Sequence, residues 1–347
     1  MTEPELPTSI QPAPVRKRGL LKLFIRIAVG AAVLAFLFVK ADLHQLWHTL
    51  QQARVSYLVI AAGAIFGGLL VSALRWKAYL DALEMPLPYA TLYRLYFVGT
   101  FFNAFLPTGV GGDAYKAVRL GRDRESMAPA FASVFLDRFA GIVGMAGIGL
   151  ASSAYLIVAG KKDHHGTYAL PLIALALCVG VLGAAIVLLW GGERLLGRGR
   201  LIKHEGIGGR LRRAVRQVHA AGRHPEAAAR GYFYGVVFQG FVFMYHVMLG
   251  RALGLKGVPV MAFASIVVLS SLATMLPSIN GLGFREGAYI WALGRFGIGH
   301  NQAFAYGLLV DALLYLTSLA GGLVYLVRGG EVHRTDRASS TVGSAPA

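Results

Sequence analysis

Apolar runs of bilayer length constrain this chain more than any other feature. They lie at about 20–39, 57–74, 130–159, 169–190, 231–250, 259–276 and 303–327. A helix needs roughly 20 such residues to cross the hydrocarbon core. A soluble domain carries roughly 25% charged residues, because its surface must face water. Here only 15% are charged and 56% are hydrophobic, with a mean hydropathy of +0.56. The expected fold class is all-α, a polytopic helical membrane protein.

In a soluble protein the net charge of +17 would point to nucleic acid. In a membrane protein the position of the charge matters more, because short cytoplasmic loops collect Lys and Arg. No nucleic-acid partner is expected. The stretch 191–230 holds ten Lys/Arg against Glu193, Glu205 and Glu226, so it reads as a cytoplasmic loop. Its charge can also hold anionic lipid headgroups. Loops 40–56, 160–168 and 251–258 carry two Lys/Arg each and suit the outer side, whereas 75–94 and 116–124 are richer and suit the inner side. Arg75-Trp76-Lys77 reads as the inner end of the second span. Residues 1–19 form a polar basic cytoplasmic tail. The run 20–39 reads as a first span, since no small-residue cleavage site of the A-x-A kind follows it closely. Arg328, Arg334 and Arg337 place the C-terminal tail, 329–347, inside. The membrane domain is then 20–328.

These charges are satisfied by about six full spans and two same-side excursions, 78–115 and 259–302. Re-entrant segments are tolerated only where protein or a water-filled cavity satisfies their backbone. The first contains Asn103, then Leu106-Pro107-Thr108-Gly109-Val110-Gly111-Gly112-Asp113. The second contains Leu276-Pro277-Ser278-Ile279-Asn280-Gly281-Leu282-Gly283-Phe284-Arg285-Glu286. Both read Leu-Pro-Thr/Ser, a gap, Gly-apolar-Gly and a charge, and they enter from opposite faces. Proline ends a helix and closely spaced glycines allow sharp turns. Two such breaks predict an inverted repeat whose broken helices meet near the midplane.

Charges at membrane depth need a partner or water. Lys116 and Arg119 follow the first break one turn apart, so both face one side. Arg285 and Glu286 follow the second. Asp137-Arg138 lies in the third apolar run and reads either as a self-neutralising pair or as an interfacial one. Asp311 lies in the last span and is placed to reach an arginine such as Arg138 or Arg285. Cys178 has no disulfide partner, and no Cys/His spacing for a metal exists. Trp47, Trp76, Trp190 and Trp291 read as interfacial anchors, His246 as a packed helix–helix hydrogen bond, and His164-His165 as a solvated pair. Gly141, Gly144, Gly147 and Gly149 allow close helix packing.

Arg75-Trp76, Asn103 through Asp113, Asp137-Arg138 and Leu276 through Glu286 together resemble the lysylphosphatidylglycerol synthase transmembrane region, also called the flippase-like family. The resemblance covers residues 20–328. It implies a multi-pass inner-membrane (plasma-membrane) protein that moves, or helps to move, a lipid or lipid-linked molecule between leaflets. Full synthases carry a large soluble aminoacyl-transfer domain. This chain stops about 20 residues after its last span, so it is not expected to make lysyl-phosphatidylglycerol itself.

The leading expectation is a transporter, not an enzyme, with no cofactor and no metal. Its substrate is a membrane lipid with an anionic headgroup. Arg285, Lys116 and Arg119 are expected to attract the headgroup, while Asp113, Glu286 and Asp311 balance charge or relay protons. Asn103, Pro107, Gly109, Gly111, Gly112, Asp137, Arg138, Pro277, Asn280, Gly281 and Gly283 complete the expected translocation site. No phosphate-loop motif is present, so movement is downhill, ion-coupled or driven by product consumption. Two other readings stay open: a membrane-embedded headgroup enzyme, and a non-catalytic subunit that supports a separate lipid-modifying enzyme.

Overall fold

A computed structural model describes residues 42–105, 110–123, 127–187, 225–274 and 281–341, together with Ala35, Phe36, Val39 and Leu276; side chains are described as far as Val327. The expected first span, Trp190 and most of the basic loop 191–230 lie outside the described residues. So do Pro107, Gly109, Pro277 and Asn280. The described chain is ten helices, with no strand among the described residues. They are α1 Leu43–Gln51, α2 Val55–Ala82, α3 Tyr89–Phe105, α4 Gly111–Asp123 and α5 Met127–Val158, followed by α6 Ala169–Ile186, α7 Pro225–Ala252, α8 Ala262–Ala273, α9 Phe284–Gly294 and α10 His300–Thr341.

Five helices are long and apolar enough to cross a membrane: α2, α5, α6, α7 and the His300–Val327 part of α10. Their outward faces are apolar, with Phe66, Leu70, Phe135, Val179, Leu316 and Leu323 all exposed. That is the arrangement expected where the solvent is lipid. Their inward faces use small residues to approach closely. Gly67 and Gly68 of α2 meet Phe241 and Phe238 of α7, Gly144 of α5 meets the Gly235 backbone, and Gly149 meets Cys178 and Val268.

The two expected excursions are pairs of helices, the first of 17 and 13 residues and the second of 12 and 11. At a rise of 1.5 Å per residue, α8 and α9 are each about 17 Å long, roughly half a bilayer core. α3 packs on α4, and α8 packs on α9. The first hairpin meets α5 near its start, through Asp113 and Arg138, and meets the far half of α10, where Gly321 abuts the Phe97 backbone. The second meets α5 near its end, where the Ser152 hydroxyl donates to Met261 O at 2.6 Å, and the near half of α10, where Gly307 abuts Glu286. Along α5 and α10 the hairpins therefore lie toward opposite ends.

Boundaries differ from the sequence reading in three places. α2 continues to Ala82, so Arg75-Trp76 lies inside a helix and not at its end. α10 runs on to Thr341 through the segment read as a tail. The loop 40–56 contains α1, whose start is capped by Asp42 accepting from the His44 and Gln45 amides. α1 is tied to α10 by Asn301, which accepts from the Asp42 amide at 3.0 Å and donates to Gln45.

Candidate functional site

The first break is closed from within. The Asn103 carboxamide oxygen accepts the Gly112 amide at 2.8 Å. A Cβ at Gly112 would fall on the Gly99 carbonyl, so α3 and α4 cross at two glycines. The crossing delivers Asp113 and Lys116 of α4 to a polar cluster shared with α2, α3 and α5. In it the Arg75 Nε donates to Asp137 Oδ1 at 2.7 Å, and the Tyr96 hydroxyl donates to Asp137 Oδ2 at 2.5 Å. Lys116 Nζ lies 3.1 Å from Asp113 and 3.8 Å from Asp137, with the Tyr96 ring centroid 3.8 Å away. Arg138 Nε donates to the other Asp113 oxygen at 2.5 Å.

Burial makes these partners obligatory, since an unpaired ion in low dielectric costs several kcal/mol. Arg75, Lys116 and Asp137 are almost wholly buried. Asp137 and Arg138 do not neutralise each other. Neighbours in a helix point about 100° apart, so Asp137 turns inward to Arg75 while Arg138 turns toward Asp113. Three cations face two carboxylates, an excess of one positive charge. The most open cation is Arg138, whose side chain is 48% exposed. Its bond to Asp113 runs through Nε, and its two terminal nitrogens have no partner among the described residues.

The second break ends in two left-handed glycines, Gly281 at φ +80° and Gly283 at φ +88°. The Gly283 amide donates to Glu286 Oε2 at 2.5 Å and so caps the start of α9. Arg285 pairs with Asp311 of α10, which decides which arginine Asp311 reaches. His246 of α7 lies 3.2 Å from the Tyr289 hydroxyl, and the Tyr306 hydroxyl donates to the His246 carbonyl. One cation faces two carboxylates here, Asp311 and the fully buried Glu286. The charge imbalance is opposite to that of the first cluster.

Both breaks reach the same part of α10. Phe105, the last residue of α3, packs its ring 5.9 Å from Tyr315. Arg285 meets Asp311, one helical turn earlier. The sequence reading named Asp113, Lys116, Asp137, Arg138, Arg285, Glu286 and Asp311, and the structure gathers them into these two clusters. Arg119 lies partly exposed on α4. Gly111 and Gly112 begin α4, and Gly281 and Gly283 lead into α9. Lys116 and Arg285 are buried and engaged by carboxylates, whereas Arg138 is half-exposed and meets Asp113 through Nε.

Sequence reasoning missed Arg75 and Tyr96 as site residues. Arg75 follows an apolar run and so marks a span boundary by sequence alone, and Tyr96 is one of 15 tyrosines. Trp76 is a second correction. It is fully buried and donates to the Ser133 hydroxyl at 3.0 Å, so it is not an interfacial anchor. Among the described residues no group of three or more His, Cys, Asp or Glu is placed to hold a metal ion. A family model described as "Lysylphosphatidylglycerol synthase TM region" matches residues 23–322. No curated protein matches the chain.

Proposed function

We propose that this chain, which belongs to the lysylphosphatidylglycerol synthase TM region family, moves a lipid or lipid-linked molecule with an anionic headgroup between leaflets. It acts as a transporter and catalyses no chemistry of its own. The observation that carries this reading is the convergence on α10, where Phe105 beside one break and Arg285 beside the other meet adjacent turns. Two helix hairpins lying toward opposite ends of the same long helices fit an inverted repeat built around a central path. The excess positive charge of the first cluster, with Arg138 its open member, suits a phosphate, because a guanidinium fork matches phosphate oxygens. The excess carboxylate of the second cluster, Glu286 with Asp311, suits charge balance or proton relay during the passage. The protein resides in the inner membrane, with both termini and the basic loop on the cytoplasmic side.

Transbilayer movement of labelled phosphatidylglycerol and phosphatidylcholine in liposomes holding the purified protein tests the reading. Arg138→Gln, Asp113→Ala and Arg285→Ala run beside the wild type. Headgroup-selective movement that Arg138→Gln weakens supports it. No movement by folded wild-type protein overturns it in favour of a non-catalytic subunit that supports a separate lipid-modifying enzyme.

A further inference from the structure

Helices α5 and α7 stop in the same way and bring a lysine each to one cleft. After α5, Gly160 takes φ +64° and the Lys161 amide returns to Leu156 O at 2.9 Å. After α7, Gly254 takes φ +69° and the Leu255 amide returns to Gly250 O at 2.9 Å. A left-handed glycine with this six-to-one hydrogen bond fixes the direction in which the chain leaves a helix. Lys161 directly follows the first glycine, and Lys256 follows the second by two positions. Their backbones are therefore set by the two helix stops, and the carbonyl ends of both helices favour cations there.

Both lysines line a cleft of about 320 Å³, together with Tyr155, Val258, Pro259 and Met261. No acidic residue lines it. Asp163, the closest acid in sequence to Lys161, is engaged at 2.6 Å by Arg295 and accepts the Thr167 hydroxyl at 2.7 Å. Neither lysine ammonium has a hydrogen-bond or ion-pair partner among the described residues. Two cations facing one cleft repel each other, and an anion between them removes that cost. The apolar part of the lining faces outward: Tyr155 is 52% exposed, Met261 41% and Val260 38%. Tyr155 lies in the last turn of a membrane-spanning helix, so the cleft opens where hydrocarbon gives way to headgroups, the depth to which lysines extend. A ligand that satisfies both walls carries an anionic phosphate and acyl chains.

We propose that the Lys161–Lys256 cleft binds the phosphate of an anionic phospholipid at the membrane surface. This site is separate from the Arg138 cluster and does not depend on translocation. Native mass spectrometry of the full chain in mild detergent tests it by counting bound dioleoylphosphatidylglycerol and dioleoylphosphatidylcholine. The wild type should prefer the anionic lipid. The Lys161→Gln/Lys256→Gln protein should bind it about thirtyfold more weakly, given the usual contribution of one lysine near an anionic surface. The Lys161→Arg/Lys256→Arg protein should keep the preference, which separates lost charge from lost fold. Lys162→Gln should also keep it, since that ammonium lies 5.8 Å over the Tyr168 ring. An unchanged preference in the double Gln protein overturns the proposal. So does displacement of the lipid by inorganic phosphate in excess, which would make the ligand a free ion.

Discussion

Arg75 and Asp137, 62 positions apart, form a buried ion pair at 2.7 Å whose side chains are 4% and 0% exposed. The pair joins α2 to α5, and Tyr96 of α3 completes it from the other side of the carboxylate. Removing one partner of a buried pair leaves an uncompensated charge, which typically costs about 3–5 kcal/mol. Asp137→Ala should therefore lower the thermal midpoint in detergent sharply, since it strands Arg75 and leaves Lys116 with Asp113 as its one remaining carboxylate among the described residues. The double replacement Arg75→Met/Asp137→Leu should cost less than the sum of the singles. Additive losses in that cycle would show that the pair is not energetically coupled.

The α3–α4 crossing predicts an intolerant glycine. At Gly112 an added methyl meets the Gly99 carbonyl and the Asn103 side chain, both held by helix backbone or a hydrogen bond. Overpacking of this kind typically costs about 1–3 kcal/mol. Gly112→Ala should lower stability and separate α4 from α3, seen as faster hydrogen exchange over residues 111–120. Gly63→Ala, with nothing within 4 Å of the added Cβ, is the matched control and should be neutral.

The loop between α5 and α6 carries a pH dependence. Burial disfavours ionised Asp163, but hydrogen bonds from Thr167 and from the Arg295 guanidinium outweigh it and hold the carboxyl down at about 2. An unfolded aspartate titrates near 3.9. The stabilisation is therefore fully present above about pH 4 and is lost as the pH falls through about 2, because the opened loop binds the extra proton in that window. Pepsin cleavage within 159–168, normalised to a free peptide of the same sequence, should rise from pH 4 to pH 2. Asp163→Asn should be cleaved alike at both, and a wild-type loop equally resistant at both would contradict the assignment.

The five spans found among the described residues were legible in the sequence because length and hydropathy decide them without knowledge of packing. The breaks were legible because few arrangements other than a helix interruption explain Leu-Pro followed by clustered glycines. Partner choice was not legible. Asp137 has Arg138 beside it in the chain but bonds to Arg75, because helical geometry points adjacent residues apart and helix packing then supplies the neighbour. Trp76 misled for the same reason, since a tryptophan after an apolar run looks interfacial until the helix continues past it. The cap at Asp42 is a readable signal for α1, but nine residues are too few for the apolar run length that marks a span. The pairing of Asp311 with Arg285 was one of two options open to the sequence, and only the approach of α9 to α10 decided it.

Arg138 separates transport from stability. Its side chain is 48% exposed, its contact with Asp113 is shared with Lys116, and its terminal nitrogens have no protein partner among the described residues. Loss of its charge leaves Asp113 still paired at 3.1 Å with Lys116, so the fold should lose less than it does on removal of the buried Asp137. The loss to a passing phosphate is a charge-assisted hydrogen bond, which contributes about 1.5–3 kcal/mol. Arg138→Gln should therefore slow movement of phosphatidylglycerol about tenfold or more, while the thermal midpoint falls less than in Asp137→Ala. Arg138→Lys should recover part of the rate, because it restores the charge without the two-pronged fork. Arg285→Ala makes the contrasting case: it strands buried Asp311 and should lower stability and transport together. Equal transport by Arg138→Gln and wild type would remove Arg138 from the path, and the cation that meets the headgroup would have to be sought elsewhere on α4 or α5.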